Sequence, residues 1–474
     1  MFTRLVQKEL LHHLLDFRFL FVFTLCVLLS ILGVYVGIRN YARQLQDYHA
    51  VSDLNRKIIQ VSIDKGEIID LDVGGYRWNR RPEVLSPLIF GLSGTLGKEV
   101  FIHRRFPPLF EFSLFETDPV YALFEVLDLS FIVKVVLSLA VLLFTYDAIC
   151  GEKEGGTLRL YASFPVSRST LALAKLTGST AAVLVPLVLA FLLVSVALSL
   201  SSEIELSGED WIRITLLVGV FALYLAVFAA FSLLMSALTH RRMTAFLGLL
   251  GLWTVWLFIV PNVAVDAARR LAPASSVYDL QRQGDALWWK MQEGYQEDWE
   301  AYYRLFRNSR RDMDWRSLTE AQRREINEEL TGNQNKIQDK WNTRFYAQLR
   351  DLNAERRNRT REQQRLATAL SALSPLSAVT YASMDLARTG FAQQERMENA
   401  LYAHLIYLSQ YVLQKPGQYF GGAKLADFSF FSYEDNEAVG ECLSRNAIHI
   451  LNLALLAVAG FAGAYVAILR YDVR

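Results

Sequence analysis

Seven histidines (His12, His13, His49, His103, His240, His404 and His449) and three cysteines (Cys26, Cys150 and Cys442) are the side chains best suited to metal or nucleophilic chemistry. No two histidines form an HExxH pair, and none stands beside a cysteine at zinc-ligand spacing. The cysteines are too scattered for a disulfide framework. No G-x-S-x-G elbow occurs. The nearest phosphate-loop text is Gly91-Leu92-Ser93-Gly94-Thr95-Leu96-Gly97-Lys98-Glu99, in which Leu92 replaces the first glycine of G-x-x-x-x-G-K-[ST] and Glu99 replaces the hydroxyl residue. The expectation is a chain without a nucleotide site, metal or cofactor of its own, and so not itself an enzyme.

Ionisable groups within apolar segments are the other place to look for chemistry. Lys134 lies within two turns of one end of its segment, where its amine can snorkel or meet Asp128. His449 and Asn452 read as hydrogen-bonding groups between helices. No carboxylate stands mid-segment, as a proton-driven carrier would require. A membrane chain with neither relay nor nucleotide site must borrow its energy or transport nothing.

The elements that position these residues follow from where charge is scarce. The chain has 474 residues, 52% hydrophobic and 20% charged, with a formal net charge of +1 that argues for no nucleic-acid or acidic partner. Several windows of about 20 residues, enough to cross a hydrocarbon core, are nearly free of charge. The predicted spans are 17–38, 129–148, 176–200 (with Pro186 inside), 212–238, 243–264 (ending in a Pro261-Asn262 kink) and 448–469. The first is too long for a signal-peptide core and is read as a retained span. In the last, Gly460 and Ala464 are four apart and offer a close helix contact.

Residues 1–16 place Phe2, Leu5, Val6, Leu10 and Leu14 on one helical face, with Arg4, Lys8, Glu9 and His12 largely opposite. This fits an amphipathic helix lying on the membrane surface, or an ordinary solvated helix start. Basic residues in the short loops set the orientation. Arg4, Lys8 and Arg18, then Lys153, Arg159, Arg168 and Lys175, then Arg241 and Arg242, then Arg470 and Arg474 share one side, while the 203–210 loop is purely acidic. Both termini and residues 149–175 are therefore expected in the cytoplasm of a multi-pass bacterial inner-membrane protein, with inserts 39–127 and 265–446 outside.

The first insert reads as a small mixed α/β module: a helical start at 41–59, a hairpin within IIQVSIDKGEIIDLDVGG, then Pro-rich loops. In the second, Trp288, Met291, Tyr295, Trp299, Tyr302 and Phe306, and later Ile326, Leu330, Ile337, Trp341, Phe345, Leu349 and Leu352, recur at helical spacing. They predict an antiparallel helical hairpin with a turn at 312–317, a Thr319/Gln322 capping box and an interruption near Gly332. Ser374-Pro375 stops the second arm, and a further helix is expected over 379–413. The patch Phe428, Phe430, Phe431 and Tyr433 fits either the outer headgroup level or a packed loop core. The fold class is mainly α: a polytopic six-helix membrane domain with a surface helix and two extracytoplasmic inserts.

Between spans 2 and 3 lies a charged, Gly-punctuated hinge, YDAICGEKEGGTLRLYASFPVSRSTLALAKLTG. Gly155-Gly156 frees the backbone, Thr157 can cap a short helix through Ala162, Phe164-Pro165 ends it, and Ser167 can cap the helix entering span 3. On physics alone a docking element and a solvated connector are equally good readings. The string resembles the signature of type-2 ABC exporter permeases, in which an acidic Glu, Gly-Thr-Leu, a small-Pro-Val-Ser-Arg turn and a later Lys-x-x-Gly follow the second span. Here these are Glu152 or Glu154, Gly156-Thr157-Leu158, Phe164-Pro165-Val166-Ser167-Arg168 and Lys175-Leu176-Thr177-Gly178. The inserts are similar to those of gliding-motility and copper-enzyme-maturation permeases, through Arg81-Pro82, Ser86-Pro87 and Gly91, and through Leu373-Ser374-Pro375-Leu376 and Leu386-Ala387-Arg388-Thr389-Gly390.

The resemblance implies a permease subunit that pairs with a second permease, identical or related, and with two ABC ATPase subunits, and that couples their ATP hydrolysis to export or extraction of a substrate. It assigns the ATPase contact to Glu152, Glu154, Thr157, Leu158, Arg159, Pro165, Ser167 and Arg168, with Arg4 and Lys8 on the surface helix beside them. A mechanical transmitter acting on an extracytoplasmic partner, with nothing crossing the bilayer, is the alternative. A ligand sensor is disfavoured because the cytoplasmic segments are too short for an output domain.

Overall fold

The computed structural model describes residues 2–65, 74–103, 108, 110–111, 128–156, 167–311, 313, 318–413 and 428–470. Within them, six helices are long and apolar enough to cross a membrane: Phe17–Val61, Leu129–Glu154, Leu173–Leu200, Gly208–Leu238, Arg242–Leu271 and Val439–Arg470. They contain the six expected spans, numbered here in that order. The chain forms two compact units, one of 1–104, 108–264 and 370–474, the other of 105–107 and 265–369. The expected 265–446 insert is thus shared between them.

In the larger unit, α1 (Phe2–Leu14) precedes α2 (Phe17–Lys65), which carries span 1. Ile58–Lys65 is the end of this helix, so the first half of the expected hairpin is a correction: its short apolar runs suit helix and strand equally, and continuity with span 1 decides. Residues 66–73 lie outside the described residues. A three-stranded antiparallel sheet follows instead, β1 (Tyr76–Asn79), β2 (Glu99–Ile102) and β3 (Phe110–Glu111) in that order, with Tyr76 opposite Ile102.

Span 2 is α3, which runs through Leu129–Phe131, a π-helical stretch Ile132–Leu137 and Ser138–Thr145, followed by the short α4 (Cys150–Glu154). Spans 3 and 4 are α5 (Arg168–Leu200) and α6 (Gly208–Leu238). Ser207 and Asp210 form a capping box at the start of α6. Span 5, α7, comprises Arg242–Thr254, a second π-helical stretch Val255–Ile259 and Val260–Leu271. Span 5 does not end at Pro261-Asn262 as expected: the helix continues through both to Leu271, with Pro261 directly after the π stretch.

The π stretch of span 2 is tied by hydrogen bonds to span 5, just before its own π stretch, and to α6. Ser138 Oγ donates to the Lys134 carbonyl at 2.5 Å and accepts from Trp253 Nε1 at 2.9 Å, while Tyr224 OH on α6 donates to the same carbonyl at 2.9 Å. Irregular backbone is tolerated inside a bundle only when such partners satisfy it. α6 is the centre of the unit, with Leu217, Phe221, Tyr224, Leu225 and Phe228 all buried. The close contact expected of Gly460 is made here: a Cβ on it would fall 2.9 Å from the Phe231 ring and 3.1 Å from the Ala230 methyl.

After the hairpin come α10 (Pro375–Leu386), α11 (Phe391–Leu413) and α12 (Val439–Arg470), the last carrying span 6. The single helix expected over 379–413 is corrected to two. Arg388 at φ 57° turns the chain between them. Ser374 caps α10 and donates to the Trp256 carbonyl of α7 at 2.5 Å. Asn452, expected to bond between helices, donates instead to the Ala372 carbonyl in the turn that leads into α10, at 2.5 Å.

The two insert motifs meet. A Cβ on Gly91, at φ 53°, would lie 2.7 Å from the Thr389 carbonyl oxygen, and Leu92 N–H donates to that oxygen at 2.9 Å. The aromatic patch is a packed core: Phe428 and Phe431 are buried with Tyr76, Leu401 and Leu408. Burial pushes the His404 imidazole down to about 4, and as a neutral ring it is held by the Tyr76 hydroxyl.

The smaller unit holds α8 (Val277–Ser309) and most of α9 (Glu320–Ser371) as an antiparallel pair. Arg310 meets Glu329 at 2.5 Å, Asn333 meets Tyr302 at 2.9 Å, Trp341 Nε1 meets Asp298 at 2.8 Å, and Trp288 packs on Phe345. The Thr319/Gln322 capping box forms. No break occurs at Gly332. A single glycine costs about 1 kcal/mol, and the cross-helix contact of neighbouring Asn333 holds the helix through it. The expected turn at 312–317 lies almost wholly outside the described residues.

Candidate functional site

The end of the bundle where spans 2 and 3 are joined gathers buried charge. Lys175, one turn into span 3 and 5% exposed at its side chain, lies 2.8 Å from Glu152 and 3.3 Å from Glu9. Glu152 belongs to α4 and Glu9 to α1, so one ammonium clasps three helices. Gly178, one turn further along α5, makes room: a Cβ there would sit 2.7 Å from Glu9 Cβ. His13 Nε2 is 3.1 Å from Ser179 Oγ on the same face. Burial, opposed in part by Glu9, holds the His13 imidazole below its ordinary range.

Three further ties fix α4 to the opposite wall. Ser236 Oγ on α6 accepts from both Ile149 and Cys150 N–H at 3.0 Å, satisfying donors that the helix start leaves open. Lys153 Nζ donates to the Ala237 and Thr239 carbonyls at the end of α6, capping that helix with positive charge. Glu154 accepts from Arg242 N–H at 3.0 Å, at the start of α7. Arg18, at the start of α2, reaches Asp147 at 4.0 Å and the Leu143 carbonyl at 3.4 Å.

Of the sequence-expected residues, Glu152 and Glu154 are therefore brought together with span ends, each on a different partner. Ser167 caps α5, its Oγ accepting from Thr170 N–H at 3.2 Å, as its place before the helix predicted. Gly155-Gly156 ends α4, with Gly156 at φ 70°. Thr157, Leu158, Arg159 and Pro165 lie outside the described residues, and so does the Arg168 side chain. Arg4 and Lys8 are exposed on α1, whose face toward the hinge carries Glu9 and His13 instead.

Lys175, Glu9, Ser236 and Arg242 are absent from the expected contact set. The available signal was Lys175 itself, a lysine just inside an apolar segment and three residues before a glycine. Among the described residues no cluster of His, Cys, Asp and Glu could hold a metal. The arrangement can transmit displacement: a force on α4 reaches α1, α5, α6 and α7 through charge-assisted hydrogen bonds, which are stronger than neutral ones.

A family model described as ABC-2 family transporter protein matches residues 4–472. Two curated relatives carry the name probable ABC transporter permease protein NosY. The one from Stutzerimonas stutzeri is 30% identical over 124 residues, 26% of this chain and 45% of the relative. The one from Pseudomonas aeruginosa is 30% identical over 136 residues, 27% and 46% of the respective chains. The matched stretch thus spans a little under half the length of either relative.

Proposed function

Because the chain belongs to the ABC-2 family of transporter proteins, we propose that this multi-pass membrane protein is the permease subunit of an ATP-binding-cassette transporter. It pairs with a second permease copy or a related chain, and two separate ABC ATPase subunits hydrolyse the ATP. Residues 152–168 are the element those subunits grip, through Glu152, Glu154, Thr157, Leu158, Arg159, Pro165, Ser167 and Arg168, with Arg4 and Lys8 alongside. The bias of Lys and Arg toward this end puts α1, the hinge and the end of α12 on the cytoplasmic side of the inner membrane.

The observation that carries this reading is the clasp of Lys175 between Glu152 and Glu9. A loop that merely connected two spans would need no buried lysine held between two half-buried carboxylates, because desolvating a charge costs several kcal/mol unless it is paired. Closure of the ATPase pair would displace α4, and the clasp and the Ser236 bonds would pass that displacement to spans 3 and 4. Co-expression with the ATPase encoded beside the gene should yield a vanadate-sensitive ATPase that copurifies with the chain. Failure of every neighbouring ATPase to associate with the purified protein would overturn the reading.

A second reading is favoured by the hairpin unit, a separately compact pair of long helices with Trp289, Tyr303 and Leu305 exposed. In it, the same ATPase drives the hairpin against an extracytoplasmic partner without transport. Deleting 285–365 separates the two: a transporter keeps its substrate flux and a transmitter loses its output.

A further inference from the structure

The glycine-rich loop 91–98, which fails as a nucleotide-binding loop, lines an open cleft at the end of the bundle opposite the hinge. Arg80, Arg81 and Lys98 surround it, with Ser93, Gly97, Glu83 and Gln44 completing the wall. Three cations and one carboxylate leave this small space with an excess of positive charge. Ser93 Oγ is buried there and has no hydrogen-bond partner among the described residues. We propose that this cleft is a binding site for a phosphate-type oxyanion, held by Arg80, Arg81, Lys98 and the Ser93 hydroxyl.

The geometry prepares the site. Arg80 N–H donates to the Lys98 carbonyl at 2.8 Å, which joins the end of β1 to the start of β2 and sets the two basic residues side by side. The Arg80 guanidinium is steadied by Gln393 at 2.6 Å and faces Glu83 at 3.9 Å. Gln393 donates in turn to Glu83 at 2.7 Å, so part of that carboxylate's charge is already taken up within the protein. Lys98 meets the exposed Asp47 at 3.9 Å. Arg81 is exposed and free to close over a ligand. Guanidinium forks and an ammonium beside a hydroxyl and a glycine-rich backbone are the donor set that a tetrahedral oxyanion needs.

Depth identifies where such an anion would come from. Gly37, at the end of the span 1 apolar run, is pressed by the Pro87 turn, since a Cβ on it would lie 2.8 Å from the Pro87 carbonyl oxygen. Gln44 is seven residues further along the same helix, about 10 Å at helical rise. That distance carries the cleft from the edge of the hydrocarbon core into the headgroup layer. A lipid phosphate and a free phosphate ion share the recognised chemistry, and the position admits both.

The test uses the full-length protein. Native mass spectrometry would compare retention of phosphatidylglycerol and phosphatidylcholine, and inorganic phosphate would be titrated as a protectant of Lys98 against amine acylation. Binding should fall at least tenfold in Arg81→Gln/Lys98→Gln and about threefold in Ser93→Ala. Preferential retention of phosphatidylglycerol identifies a headgroup site, and protection by phosphate without lipid preference identifies a free-ion site; either supports the inference. It is overturned if wild-type protein shows neither, or if the double variant, with thermal unfolding like wild type, keeps both. Should the double variant not fold, acylation of wild-type Lys98 with and without phosphate decides alone.

Discussion

Lys175 on span 3 and Glu152 on the hinge helix lie 2.8 Å apart, although 22 residues of charged, glycine-containing chain stand between them. With Glu9 as the second carboxylate, the ammonium is shared between two acids at this three-helix junction. Lys175→Met should therefore cost more than a surface ion pair, about 2–3 kcal/mol, because it leaves two half-buried carboxylates uncompensated. Chemical denaturation in detergent checks this. Glu9→Gln/Glu152→Gln added to Lys175→Met should restore much of the loss, while ATPase stimulation in the complex should stay low in both.

Ser236→Ala removes the acceptor shared by Ile149 and Cys150 N–H. The loss should be about 1–3 kcal/mol, the cost of leaving buried donors unmet. Hydrogen exchange should rise at those two amides and stay unchanged within the sheet of β1, β2 and β3. Unchanged exchange at Ile149 and Cys150 would contradict the assigned role.

Gly91→Ala places a methyl against the Thr389 hydroxyl and carbonyl, in a backbone conformation at φ 53° that L side chains rarely adopt. Destabilisation of at least about 2 kcal/mol is expected from the combined strain and clash, read as a lowered Tm. Adding Thr389→Ala should recover only part of it, because the backbone carbonyl of residue 389 stays in place.

Much of this was legible beforehand. Apolar windows located all six spans, since the bilayer demands a fixed length of apolar helix, and Ser167 and the Thr319/Gln322 pair were readable as caps because capping is local. The Lys175 clasp was not, because its partner Glu9 is 166 residues away in sequence and no local pattern encodes such a pairing. Nor was the unbroken helix at Gly332, where packing from Tyr302 outweighs propensity. The π stretches in spans 2 and 5 have no composition of their own; Ile132–Leu137 and Val255–Ile259 each have a carbonyl that accepts from another helix or its cap, Lys134 from Tyr224 and Trp256 from Ser374.

Stability should also depend on pH through Glu83, whose carboxyl burial raises from its ordinary 4.5 to about 7, against the opposing pull of Arg80, Arg388 and Arg396 and with help from Asp435. The folded state keeps this proton longer than the unfolded chain, so its contribution is fully present below about 4.5 and is lost as pH rises through 7, roughly 3 kcal/mol in all. His404 acts in the opposite direction, since a ring held at about 4 makes stability fall as pH drops below 6.5. Comparing Glu83→Gln with wild type isolates the first effect. Between pH 5 and 8 the wild-type stability should decline relative to the variant, and parallel denaturation curves would refute the assignment.

The paired π stretches of spans 2 and 5 also bear on how these spans could turn. A π stretch is one residue of slack stored in the helix, and moving it by exchanging neighbouring carbonyls rotates the segment it passes over by about 100°, one residue's share of a turn. Ser138, accepting from Trp253 and donating to Lys134, stands at the junction where such slack in one span would be felt by the other. Two rods joined in this way can twist together while their hydrogen-bonded length is conserved, like meshed gears that slip by a single tooth.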